Sequence, residues 1–136
     1  MTTFESKQTC INKSPEELFE FLSDLSNLGR FDGNIPDLFQ NLEYTPDSFS
    51  VSVVSFGQIT FRITERIPVE SVTFVAENTP VNLVLNVLLN RLQEKTTAFQ
   101  LVAYAELNPV VKPFVSKPLQ DVMNRIADMF AATFNR

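Results

Sequence analysis

Between Gln58 and Leu107 apolar residues return at every second position, and this alternation limits the fold more than any other feature of the chain. Ile59, Phe61, Ile63 and Ile67 share one face against Thr60, Arg62, Thr64 and Arg66. Leu83, Leu85, Val87 and Leu89 oppose Asn82, Asn86 and Asn90, and Phe99, Leu101, Ala103, Ala105 and Leu107 form a third set. Successive side chains of a strand point to opposite faces, so each set is one face of a half-buried strand. Burial on one face only is the pattern of antiparallel sheets. Candidate strands are 3–12, 40–44, 49–56, 58–67, 72–77, 82–91 and 96–107.

Hairpin loops of fixed parity keep these faces together. A three-residue loop at 93–95 pairs Leu89 with Phe99 and Val87 with Leu101. A four-residue loop at 68–71 pairs Ile67 with Val72 and Ile63 with Ala76. A three-residue loop at 56–58 pairs Val53 with Phe61 and Val51 with Ile63, which sets Phe49 opposite Glu65.

Two segments change to the helical period. Ser14-Pro15-Glu16-Glu17 carries a cap, a proline at the first helical position and the acid of a capping box, and Leu18, Phe21, Leu22 and Leu25 follow. Gly29 ends this helix or the turn after it, and 34–39 forms a second short helix with Pro36 in its first turn. Near the other end, Leu119, Val122, Met123, Ile126, Met129, Phe130, Thr133 and Phe134 recur at steps of three and four, opposite Gln120, Asp121, Asn124, Arg125 and Asp128. Ser116 is the expected cap, with Pro118 in the first turn. About 18 residues at 1.5 Å each give a rod of roughly 27 Å, enough to cross six or seven strands spaced ~4.8 Å apart. The expected fold is a single α+β domain over residues 1–136. In it a curved antiparallel sheet of six or seven strands wraps the long last helix, with one or two short helices after strand 1.

The element order resembles that of the START-like superfamily, also called helix-grip or Bet v 1-like, with its polyketide cyclase/dehydrase and lipid-transport group. Three stretches carry the resemblance: Ile11 to Leu22, Leu107-Asn108-Pro109, and Leu119-Gln120-Asp121. It covers nearly the whole chain. It implies that the sheet grips the last helix and leaves a cavity between them. The chain departs from many members in having no Trp and no His, and in placing Pro113 and Pro118 at the start of the last helix.

Chemistry is sparse. Without His, Ser-His-Asp and Cys-His arrangements are excluded, as is the commonest general base near neutral pH. One cysteine, Cys10, makes no internal disulfide, and no acidic run has the spacing of a calcium loop, so no metal, cofactor or catalytic residue is assigned. A net charge of −5 disfavours nucleic acid and anionic membrane surfaces. Met1 to Cys10 does not read as a secretory leader and the apolar runs are too short to span a bilayer, so a cytoplasmic protein without membrane insertion is expected.

The chain holds 13 Phe, a side chain that needs no hydrogen-bond partner when buried. Phe56, Phe61, Phe74, Leu85, Phe99, Leu101, Met123, Ile126 and Phe130 are the candidate lining of an apolar site, and inward Ala76, Ala103 and Ala105 leave it room. Glu65 falls on the same inward face by alternation, between Phe49 and Phe74, as the one polar group able to orient a ligand or give a proton. The expected activity is holding an apolar small molecule such as a lipid, polyketide or aromatic metabolite. The alternatives are a cyclase or dehydratase that uses cavity shape and a carboxylate, and an interaction module of co-chaperone type. Val84, Leu88, Val102 and Tyr104 lie on the outer face as a surface for a homodimer.

Overall fold

Ser14 opens the first helix as its position predicts. In the computed structural model, which describes residues 2–31, 39–53, 57–79 and 81–135, its hydroxyl accepts the Glu17 N–H at 3.2 Å, and helix α1 runs Pro15–Ser23. Backbone N–H donation at this helix start holds the Glu16 carboxyl below its ordinary range, and the Arg91 guanidinium paired with it acts the same way. A 3₁₀ helix, Leu25–Phe31, follows. The expected helix at 34–39 lies outside the described residues except for position 39, which opens a strand.

The strands are β1 (Thr2–Glu5), β2 (Thr9–Ile11), β3 (Phe39–Thr45), β4 (Ser48–Val53), β5 (Gly57–Ile67), β6 (Ser71–Ala76), β7 (Leu83–Gln93) and β8 (Thr96–Ala105). They form one antiparallel sheet in the order β1-β8-β7-β6-β5-β4-β3, with β2 also on β8. The expected first strand is thus broken in two. Glu5 pairs with Val102 and Thr9 with Phe99, so β1 and β2 together spend one residue more than β8 does over the same length. The extra residue is accommodated where the Ser6 hydroxyl accepts the Leu101 N–H at 2.9 Å.

The β7–β8 register is the predicted one, Leu89 with Phe99 and Val87 with Leu101. The β5–β6 register is not. Ile63 pairs with Phe74, and a bulge before Glu65 sets Glu65 opposite Thr73 and Ile67 opposite Ser71. The β4–β5 register differs as well: Val51 pairs with Ile59 and Phe49 with Phe61. In β5–β6 the cause is a bulge between Ile63 and Glu65 together with a turn one residue shorter than expected, which pairs Ile67 with Ser71. Bulges between Gln40 and Glu43, Ile63 and Glu65, and Arg91 and Gln93 also bend their strands and add twist.

Helix α2 spans Lys112–Phe134 and starts earlier than the sequence indicates. Pro118 therefore lies inside the helix, and the Ser116 hydroxyl donates to the Lys112 carbonyl at 2.7 Å instead of capping. Val111 at the helix start makes no side-chain cap; in the turn before it the Asn108 side-chain oxygen accepts the N–H groups of Val110 and Val111. At 23 residues the rod is roughly 34 Å long. Val122, Met123, Ala127 and Phe130 on its inner side are buried. Its far end is tied to β2: Asn135 donates to the Cys10 carbonyl at 2.8 Å and accepts the Asn12 N–H at 2.7 Å.

One turn is strained. In the Ile67–Glu70 reversal the Glu70 N–H reaches the Ile67 carbonyl at 3.0 Å, Pro68 takes the first corner, and Val69 takes the second at φ +67°. That corner favours Gly or Asn, because a branched side chain crowds the backbone at positive φ. Val69→Asn is expected to raise stability by about 1 kcal/mol, read as a higher denaturation midpoint at an unchanged slope. A lower midpoint would show that the Val69 side chain holds the hairpin in place.

Candidate functional site

The inner face of the sheet and the inner side of α2 do not fill the space between them. Among the described residues two neighbouring voids remain. The larger, about 250 Å³, lies between β4, β5, β7 and β8 and the first half of α2, and reaches the segments 79–83 and 107–115. The smaller, about 110 Å³, lies under α1 and the 3₁₀ helix, where Leu22, Leu25 and Leu28 face Phe74, Val87 and Leu101. Phe49, Val51, Leu85 and Ile126 line both, so the partition between them is made of apolar side chains. Phe49 is held in it by stacking on Phe61, with centroids 5.2 Å apart, and by an edge contact to Phe74 at 5.7 Å.

The room arises from the small residues of β8. Ala103 and Ala105 are fully buried and line the larger void, where larger side chains would fill it. Among the described residues no ionisable side chain lines either void. Thr79 is the polar side chain at the larger one, and its hydroxyl donates to the Val81 carbonyl at 2.5 Å.

The predicted lining residues fall in different places. Phe74, Leu101 and Phe130 line the smaller void, Phe61 and Met123 the larger, and Leu85 and Ile126 both. Phe99 lines neither. It is completely buried, stacked on Phe130 with centroids 4.8 Å apart, and is core. Phe56 lies outside the described residues. Glu65 is the correction that matters most for chemistry. The bulge before it reverses the facing expected from alternation, so it pairs with outward Thr73 and is exposed.

Arg66, not Glu65, takes the inward side, opposite buried Val72. Its guanidinium donates to the Ser23 carbonyl from Nε at 3.1 Å and Nη2 at 3.0 Å, and to Asp47 Oδ1 at 2.5 Å. This fastens the end of α1 to the β3–β4 turn. Sequence alternation missed it because the bulge leaves no signal in residue type. Leu42, Phe49, Val51 and Met129 are further lining residues that the sequence reading did not pick out. On the outer face, Val102 is buried, while Val84, Leu88 and Tyr104 are half-buried.

Among the described residues no group of three acidic or Cys side chains could hold a metal ion, and no helix is long and apolar enough to cross a membrane. No family model matches the sequence, and no curated protein matches it. Solved structures do match in shape. A START superfamily protein from Mycobacterium smegmatis superposes with a TM-score of 0.73 at 13% identity, over 98% of this chain and 97% of that one. A norcoclaurine synthase point mutant of Thalictrum, in complex with a transition-state analogue, gives 0.75 at 11% identity, over 98% and 94%. The di-domain aromatase/cyclase BexL of the BE-7585A biosynthetic pathway gives 0.77 at 11% identity, over 99% of this chain and 47% of that one. With one antiparallel sheet closed against α2 and α1 packed under it, the chain has the helix-grip fold of START and Bet v 1-like proteins.

Proposed function

We propose that the chain is a carrier or receptor for an apolar small molecule held between the sheet and α2. The observation that carries this reading is the pair of adjoining voids, walled by apolar side chains and free of ionisable ones among the described residues. A folded domain packs its interior densely, and unfilled apolar space loses dispersion contacts, so a retained cavity points to a guest. The guest is hydrocarbon or aromatic along most of its length, with any polar end near Thr79 and the 107–111 segment. Rotation of Phe49 or Ile126 would merge the two chambers for a longer ligand.

The cyclase or dehydratase reading needs an acid or base facing the ligand. With Glu65 turned outward, none lines the voids among the described residues, so specific support for that reading is lacking. Titration with a naphthalene-type dye, whose emission rises in an apolar site, is expected to show saturable one-to-one uptake. A fatty acid should displace the dye. Signal that rises linearly without saturation would sink the carrier reading.

A further inference from the structure

Thr79 interrupts an otherwise hydrocarbon wall. Among the described residues it is the one polar side chain that lines either void, and it stands between β6 and β7. Its hydroxyl is committed in one direction. The Val81 carbonyl can only accept, so the Thr79 proton is spent on that carbonyl. A hydroxyl has a single proton to give and lone pairs to receive with. What Thr79 still offers a guest is therefore an acceptor. Met123, the other lining residue with a heteroatom in its side chain, carries a thioether sulfur, which is a weak acceptor as well. No lining side chain among the described residues has a proton left to donate.

This one-sidedness selects among guests by what each would lack. A ketone, ester or ether brings an oxygen that no lining side chain can satisfy, and a buried acceptor left alone is costly. A carboxylate brings the same lack together with a charge. With no cation among the lining residues, it is held only with that charge left in water at the mouth. An alcohol or phenol brings the proton that Thr79 can receive. Size narrows the class further. A cavity of about 150 Å³ holds a benzene ring. At about 250 Å³ the larger void has room for one ring or two fused ones, whereas the smaller, at about 110 Å³, has room for less than one. We propose that the larger void selects a compact neutral alcohol or phenol whose hydroxyl donates to Thr79. This rests on the carrier reading and adds to it the polar group that the guest must carry.

Competition against a bound dye tests it with guests that share one ring system: naphthalene, 2-naphthol, 2-methoxynaphthalene and 2-naphthoate. By hydrophobicity alone the methyl ether would bind more tightly than the naphthol, and a hydrogen bond to Thr79 reverses that order. In the native chain 2-naphthol is expected to bind about fivefold more tightly than 2-methoxynaphthalene, with 2-naphthoate the weakest of the four. Thr79→Val keeps the shape of the side chain and removes its oxygen, so it should erase the advantage of the naphthol over the ether. Thr79→Ser should preserve it. Equal or reversed affinities in the native chain, or an advantage that survives Thr79→Val, overturns the assignment, while saturable uptake of naphthalene leaves the carrier reading standing. An advantage lost in Thr79→Ser as well overturns it too, because the hydroxyl is then not what the guest meets. Failure of all four guests to compete, in a protein that takes up no dye, removes the carrier reading and the selection together.

Discussion

Phe99→Ala is expected to destabilise the domain by about 3–5 kcal/mol, enough to unfold much of it near 37 °C. Phe99 has no exposed surface, sits at the centre of β8, and stacks on Phe130 of α2. Phe130 meets Phe21 of α1 edge to face at 6.1 Å, so one aromatic column joins sheet and both helices. Removing its base leaves a cavity that the clamped ends of β2 and α2 cannot collapse. Ile126→Ala gives the contrast. Ile126 is half-buried and already borders both voids, so its loss mainly enlarges existing space. Its cost is expected at or below about 2 kcal/mol. Equal losses for the two variants in urea denaturation would mean that the voids are filled in solution and that Ile126 is core like Phe99.

Ala103→Phe is expected to lower apolar dye affinity by at least about tenfold, roughly 1.4 kcal/mol, while the domain stays folded. Ala103 is completely buried, and its methyl lines the larger void. A phenyl ring grown from it enters space that is already open. The strain of an overfilled core, about 1–3 kcal/mol, is therefore offset in part by new apolar contact. Phe99→Trp is the poorer choice for blocking the site, because Phe99 borders neither void. Retained uptake in a folded Ala103→Phe protein would place the guest in the smaller chamber or outside the interior.

Where the hydrophobic period was regular, the sequence was legible. The β7–β8 register follows from alternation and loop parity alone, and the Ser14 cap from its residue types. The buried side of α2 follows from its three-and-four spacing. Glu65 shows the limit. Alternation assumes an unbroken pleat, and a single extra residue in β5 turns everything beyond it to the other face. The start of α2 was misjudged for a related reason. Pro118 reads as a first-turn residue by propensity, yet the helix begins at Lys112, after a turn held by Asn108, and runs through it. The cavity was legible only as small residues on an inward face. Its division by Phe49 depends on pairings between strands, which no single segment specifies.

The place of β1 in the sheet has a kinetic consequence. Thr2 pairs with Ala105 and Ile11 with Thr97, so the first strands of the domain have their hydrogen-bond partner in its last strand. Loop closure over such separations is paid in entropy before any contact rewards it, which places this topology among slow-folding ones. While β8 is unmade, β7 lacks a neighbour on one side and Phe4 and Ile11 have nowhere to be buried. The nascent chain therefore passes through a stage with apolar strand edges open to other chains. Its yield in a cell should depend on synthesis rate and on chaperone supply more than its final stability would indicate.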